Sequence, residues 1–459
     1  MQPTQPTQPT PPTPTPAPPS APPSAPPSAP PSRPAPPLTR WLSAQSQLVF
    51  TLYAISAAFS CYFCMYAFRK PFTAVAYEGE APLWGLDYKI ALLLAQLVGY
   101  TLSKVLGVKV ISELGARHRP LALLVLIALA ELSLVGFALA PPAWGPAFLL
   151  LNGLPLGMIW GLVFGFLEGR QVTEILGAGL SASYILASGV VKSAGRGVMG
   201  WGVGERWMPA ATGLLFLAPF ALCVYLLWRL PPPTAEDEAK RTRRAPMDAA
   251  ARWAFFRSSA LGLSLLTALY VVLTAYRDFR DNFAPELWAS LGYEDAPAIF
   301  AYSEVPVALG VLAALALLVR VEDNFRAMIW VHWVMLGGCA LIGLSTLGFR
   351  AGLLGGEVWM ITAGLGAYLA YVPYGSMLFD RLIAAIGAVG TAGFMIYLTD
   401  SFGYLGSIGI NLYKNFGGGG LSWQDFFARL SYFTSVFCGL CFLGSLLYFS
   451  ARARARAGR

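Results

Sequence analysis

Tyr66-Ala67-Phe68-Arg69-Lys70-Pro71-Phe72 is the stretch on which the reading of this chain turns. Two adjacent cations end a long apolar run, and a proline follows, which cannot continue a helix without losing a hydrogen bond. A cation inside a membrane segment costs on the order of 2.5–3.5 kcal/mol on insertion scales, so it is retained where it has a use. The pattern returns as Phe279-Arg280-Asp281-Asn282-Phe283, with Arg277 just before it. Both sites read F-R-x-x-F and stand 211 residues apart, near half the chain, which predicts an internal repeat.

The rest of the sequence agrees with a membrane setting. It is 56% hydrophobic and 12% charged, and apolar runs long enough to cross a bilayer recur throughout. The expected fold class is therefore an all-α polytopic membrane protein, because in lipid each backbone group must be satisfied inside its own helix. Twelve crossings are expected near 46–68, 88–110, 120–140, 146–167, 177–199 and 208–229, then 257–277, 297–319, 326–348, 353–376, 384–411 and 428–450. The longest polar interruption, with Pro231-Pro232-Pro233 and Lys240-Arg241-Thr242-Arg243-Arg244, divides them into six plus six.

Five regions follow: a disordered Pro-rich tail over 1–40, a first bundle over 41–230, a basic linker over 231–256, a second bundle over 257–450 and a basic tail over 451–459. Loop cations at Arg117, Arg119, Arg170, Arg320, Arg326 and Arg381 fall on the side of both tails. By the positive-inside rule both termini are expected in the cytoplasm, with the chain in the cytoplasmic (inner) membrane. The net charge of +8 sits mostly in such loops and tails, so it implies the lipid bilayer as a partner and not nucleic acid.

Chemistry of other kinds finds little footing. Cys61, Cys64, Cys223, Cys339, Cys438 and Cys441 all lie in apolar segments without ligand-spaced companions, so packing is expected and neither a metal nor a disulfide. No G-x-x-x-x-G-K-[ST], H-E-x-x-H or G-x-S-x-G is present, which argues against ATP-driven transport, enzymatic activity and a cofactor.

Six plus six helices about a basic linker resemble the major facilitator superfamily. The resemblance implies two pseudo-symmetric six-helix bundles with a substrate site between them, and a monomer as the working unit. Tyr66-Ala-Phe-Arg69-Lys70-Pro-Phe72 looks like the first-helix motif of the organophosphate:phosphate antiporters, and Arg277 followed by Asn282, Phe283, Ala284 and Pro285 keeps their seventh-helix spacing. In its whole texture the chain also resembles an uncharacterised group of bacterial transporter-like proteins. It departs from the superfamily in Gly107-Val-Lys-Val-Ile-Ser-Glu113-Leu-Gly115, which lacks the usual Asp-Arg pair, and the fifth-helix histidine of some phosphate-ester antiporters has no match, Lys192 lying in that helix.

The candidate residues are the ionisable and tyrosine side chains of the crossings. Arg69 and Arg277 are expected to grip an anion, because a guanidinium stays charged and offers a fork of donors matched to phosphate or carboxylate. Arg280 competes with Arg277, with Asp278 and Asp281 flanking, and Lys70 is expected as an interface charge. Lys192 and Asp400 fall near the middle of the fifth and eleventh helices, equivalent positions in the two halves, where they either pair directly or divide anion and proton binding; Arg196 extends the cationic wall. Glu304 and Glu131 are candidate proton carriers. Tyr66, Tyr371 and Tyr397 are expected to line the site; Tyr374 shares a face with Tyr371, and Glu168 and Arg170 are a gate or loop charges. The function expected is secondary transport of a small organic anion, such as a phosphorylated metabolite, with protons or phosphate as counter-ion. Proton-coupled efflux of lipophilic compounds and a non-transporting membrane sensor or scaffold are the alternatives.

Overall fold

The structure, a computed structural model, describes residues 36–457 apart from 116, 169, 171–172, 235–236, 238–252, 254–255, 295, 388–391 and 418–419. A short helix α1, Pro37–Ser43, precedes the first crossing and is fastened by Thr39 Oγ1, which donates to Arg229 O at 2.9 Å. The end of the tail expected to be disordered is thus helical. Its residues 1–35 lie outside the described residues, as does most of the linker.

The first crossing, α2, spans Gln47–Met65 and is capped by Ser46, whose hydroxyl accepts from Val49 N. It tightens into a 3-10 turn over Tyr66–Phe68, breaks at Arg69 and Lys70, and closes with a second 3-10 turn over Pro71–Ala74. Pro71 causes the break, since it brings no N–H to the ladder. Then come α3, Tyr88–Glu113, and α4, Arg119–Leu139. The fourth crossing is split by Pro155 into α5, Gly145–Leu156, and α6, Ile159–Phe164; α7, Thr173–Gly200, and α8, Met208–Trp228, complete the first half.

The second half repeats the scheme. Helix α9, Ala260–Asn282, stops at Phe283 and resumes as α10, Ala284–Ser290. After α11, Ile299–Val319, and α12, Asn324–Arg350, the tenth crossing runs through α13, Gly356–Pro373, a π turn over Tyr374–Leu378 and α14, Phe379–Ile386. It therefore continues well past the expected end at 376, because the π turn absorbs Pro373 instead of ending the helix. Gly387, at φ 59°, stops it in the left-handed conformation that glycine adopts without strain. The eleventh crossing, α15, is Ala392–Phe416 and the twelfth, α16, Trp423–Ala457.

Nine helices among the described residues are long and apolar enough to cross a membrane. Two of the others, α3 and α15, are interrupted by ionisable residues that include Lys104 and Asp400. All six cysteines are buried and free. His332 is fully buried and bonds Met328 O and Ser445 Oγ, tying α12 to α16.

Apolar packing falls into three bodies. One belongs to the first half, around Ala58, Phe68, Leu123 and Phe220, and one to the second, around Leu266, Val311, Met335 and Phe442. The third joins the halves at the end opposite the termini, where Phe72, Tyr88 and Met208 meet Phe279, Phe283, Trp288 and Phe300. Helix α7 runs along α11 and α3 along α15, so these two pairs form the seam. Gly189 permits the first: a Cβ there would fall on the Phe300 carbonyl and within 3.0 Å of Glu304 Cγ.

Candidate functional site

Where α2 unwinds, two amides take up its spare carbonyls. Asn152 Nδ2, from α5, donates to Phe68 O and to Ala130 O, each at 3.0 Å. Gln96 Nε2, from α3, donates to Arg69 O at 3.0 Å and to Asn152 Oδ1 at 2.8 Å. A broken helix is tolerated at membrane depth only with such partners. Arg69 and Lys70 are thereby held on non-helical backbone between the two halves.

Arg69 has no acidic partner among the described residues, and its Nε is buried without a hydrogen bond. Its guanidinium lies 4.0 Å above the Tyr100 ring and 5.8 Å from that of Tyr66. Stacking of this kind holds the flat face and leaves the edge of donors available. Arg277 is mounted alike, 4.0 Å above Tyr371, with Asp278 at 2.7 Å; Asp278 also accepts from Ser407 Oγ at 2.6 Å. Tyr66 lies in the field of both arginines.

A polar ladder runs between the two stacks. The Tyr100 ring meets Tyr404 across the seam at 5.7 Å, and Lys104, one turn on, pairs with Asp400 at 2.9 Å. Asp400 accepts from Tyr270 at 2.5 Å, and the Tyr270 and Tyr371 hydroxyls are 2.7 Å apart.

Toward the end opposite the termini the halves are locked by charge. Lys70 pairs with Asp281 at 2.5 Å and donates to Asn282 Oδ1 at 2.6 Å. Lys192 pairs with Asp281 at 2.7 Å and Ser188 donates to the same carboxylate. Lys89 pairs with Glu286 at 2.5 Å, and Asp87 N donates to Asn415 Oδ1 at 2.9 Å. Lys70 and Asp281 are equivalent positions of the F-R-x-x-F repeat, so the two copies of the motif meet each other with opposite signs.

Arg280 turns away from the seam into its own half. It is 5% exposed, pairs with Glu304 at 2.8 Å and donates to Met360 O at 3.1 and 3.3 Å. Glu131 lies under the broken turn, facing Gly213 of α8 beside Phe68, with neither carboxyl oxygen hydrogen-bonded among the described residues.

One expectation is corrected. Lys192 and Asp400 do not pair and are not equivalent in depth: Lys192 lies nineteen residues into α7 and Asp400 eight into α15, a difference of about 16 Å at helical rise. Each has found another partner, Asp281 and Lys104. Tyr374 does share a side with Tyr371, both rings stacking on Tyr270 at 4.6 and 5.2 Å, but its hydroxyl is spent on Leu266 O at 2.9 Å. Arg170 bonds Pro231 O, at the start of the linker, and covers Phe50. The Tyr397 side chain lies outside the described residues. Sequence reasoning missed Gln96, Asn152, Lys104, Tyr100 and Tyr270. Lone polar residues in otherwise apolar helices were the available signal for the first three.

Residues 71–452 match a family of unknown function, DUF5690. The chain belongs to that family. No protein with a curated description matches it in sequence. Among solved structures this DUF5690 chain is similar to a D-xylose-proton symporter, with a TM-score of 0.54 at 13% identity, over 85% of this chain and 97% of that one. At such identity the likeness carries the fold alone. It is the major facilitator fold, twelve transmembrane helices in two pseudo-symmetric six-helix bundles.

Among the described residues the seam thus holds six cations, Arg69, Lys70, Lys89, Lys104, Lys192 and Arg277, against four carboxylates, Asp278, Asp281, Glu286 and Asp400. Two positive charges remain over. One resides on Arg69 and the other on the lysine pair that shares Asp281.

Proposed function

We propose that this protein is a secondary transporter of a small organic anion, working by alternating access with both termini in the cytoplasm. The observation that carries the reading is Arg69, a buried guanidinium without a carboxylate, mounted on a tyrosine face at the break of the first crossing. A charge left bare in a low-dielectric seam is costly, and an anion received at its edge relieves that cost. Arg277, stacked in the same way across the seam, is the second contact, and Tyr66 and Tyr371 supply the walls. The surplus of two positive charges fits a dianion, so a phosphate monoester or a dicarboxylate leads the substrate classes. The likeness of the first- and seventh-helix motifs to the organophosphate:phosphate antiporters supports the same class.

The reading has a mechanical side. The halves are closed by Lys70–Asp281, Lys192–Asp281 and Lys89–Glu286 at the end away from the termini. An anion near Arg69 competes with Asp281 for Lys70, its chain neighbour, and so bears directly on that closure. The test is thermal stabilisation of purified protein by inorganic phosphate, a sugar phosphate, a sugar acid and a dicarboxylate, since a ligand of the folded state raises apparent stability by mass action. A hit in the wild type that is lost in Arg69→Ala is expected; stabilisation by lipophilic compounds only would overturn the anion reading.

A further inference from the structure

Behind the Lys192–Asp281 lock lies a small crevice lined by Gly189, Lys192, Arg280, Asp281, Ser303 and Glu304. It offers about 10 Å³ for the centre of a water-sized sphere, room for roughly one water. Two of its polar atoms, Ser303 Oγ and Glu304 Oε2, are buried without a hydrogen-bond partner among the described residues, although Ser303 is only 1% exposed. The other carboxylate oxygen of Glu304 is held by Arg280 at 2.8 Å. One oxygen is therefore fixed, and the second is unsatisfied in a chamber of water size.

From this geometry we infer that Glu304 Oε2 is a proton-binding site, reached through a water beside Ser303, and that it couples proton movement to the anion. The inference rests on the transport reading above and adds to it the coupling ion and its seat. The chamber's walls come from both halves: Gly189 and Lys192 from α7, the rest from α9, α10, α11 and α13. When α7 parts from α9 and the Lys192–Asp281 pair breaks, the crevice joins the water on the side away from the termini. A proton then adds to a lone pair of Oε2. Arg280 keeps its own proton and its bonds to Met360 O, so the seam gains one positive charge, which favours the anion at Arg69 and Arg277.

The charged and titratable groups facing Glu304 are Lys192 on α7, Arg280 and Asp281 on α9 and Tyr368 on α13; its own helix adds Tyr302, which is exposed.

The experiment has two arms on the full-length protein in lipid. Infrared spectra across a pH titration should show a buried carboxylic-acid band that is absent in Glu304→Gln, present in Glu131→Gln, and shifted in midpoint by about half a unit or more in Ser303→Ala. With Glu131→Gln as the background, so that its own buried carboxyl is silent, a titrating band that survives Glu304→Gln, or a midpoint that Ser303→Ala leaves unmoved, overturns the site as drawn. In proteoliposomes loaded with a pH-reporting dye, each of the four anion probes is added outside. Uptake should acidify the lumen in the wild type, and the ratio of protons to anions should fall to background in Glu304→Gln. Anion uptake without acidification in the wild type overturns the coupling and leaves anion transport standing. A band lost in Glu304→Gln with no uptake of any probe overturns the transport reading and leaves the proton site standing.

Discussion

Arg69 and Arg277 differ in what they lack. Both are stacked 4.0 Å above a tyrosine, yet only Arg277 has a carboxylate beside it. Replacing Arg69 by alanine removes charge-assisted bonds worth about 1.5–3 kcal/mol, so anion affinity should fall by roughly 10- to 100-fold in a binding titration. Arg69→Lys keeps the charge but loses the fork, and should recover only part of that affinity. Asp281 is the opposite case, one carboxylate serving two lysines. Asp281→Asn leaves Lys70 and Lys192 facing each other unopposed, a loss on the order of 3 kcal/mol for breaking a buried pair. A thiol probe at the closed end, such as Asn415→Cys, should then react faster with a membrane-impermeant reagent than it does with Asp281 intact.

Among the elements, the broken crossings matter most. The first stops at the repeated arginine and the seventh just after it, and the fourth and tenth carry Pro155 and Pro373 at their interruptions. Of these only the break of the first crossing was legible in the sequence, because a proline removes a ladder hydrogen bond and paired cations resist burial wherever they fall in an apolar run. What was not legible is how the breaks are satisfied. Asn152 and Gln96 come from other helices, and nothing in the local pattern says which carbonyl an amide will meet. Depth was the other loss: Lys192 and Asp400 fall on matching helices, but the pairing of α7 with α9 and of α3 with α15 is a matter of tertiary register. Asn152→Leu should bare the Phe68 and Ala130 carbonyls, at about 1–3 kcal/mol for each buried group left unpaired. A lower melting temperature in detergent, with anion affinity reduced because Arg69 is no longer held, is the expected result.

For the whole molecule, the six-plus-six plan followed from apolar run lengths and one basic interruption, and the fold agrees. Which end is shut did not follow, since it depends on side chains from distant helices meeting across the seam. The closed end gives a direct test. Asp87 and Asn415 touch across the halves, and the native cysteines are buried, so an Asp87→Cys, Asn415→Cys pair can be joined by a short bifunctional thiol reagent. Cross-linked protein should lose anion exchange in proteoliposomes, and a cleavable linker should restore it on reduction; full exchange while linked would mean that this end need not open.

The meeting of Lys70 with Asp281 also bears on ancestry. An assembly of two identical half-length chains would set ammonium against ammonium, or carboxylate against carboxylate, at the axis that relates them. Neither pairing closes that end. The two copies of the motif work only as unlike partners, so the halves are no longer interchangeable: a chain with its first half duplicated in place of the second would be pushed apart at a point where the present molecule is pinned.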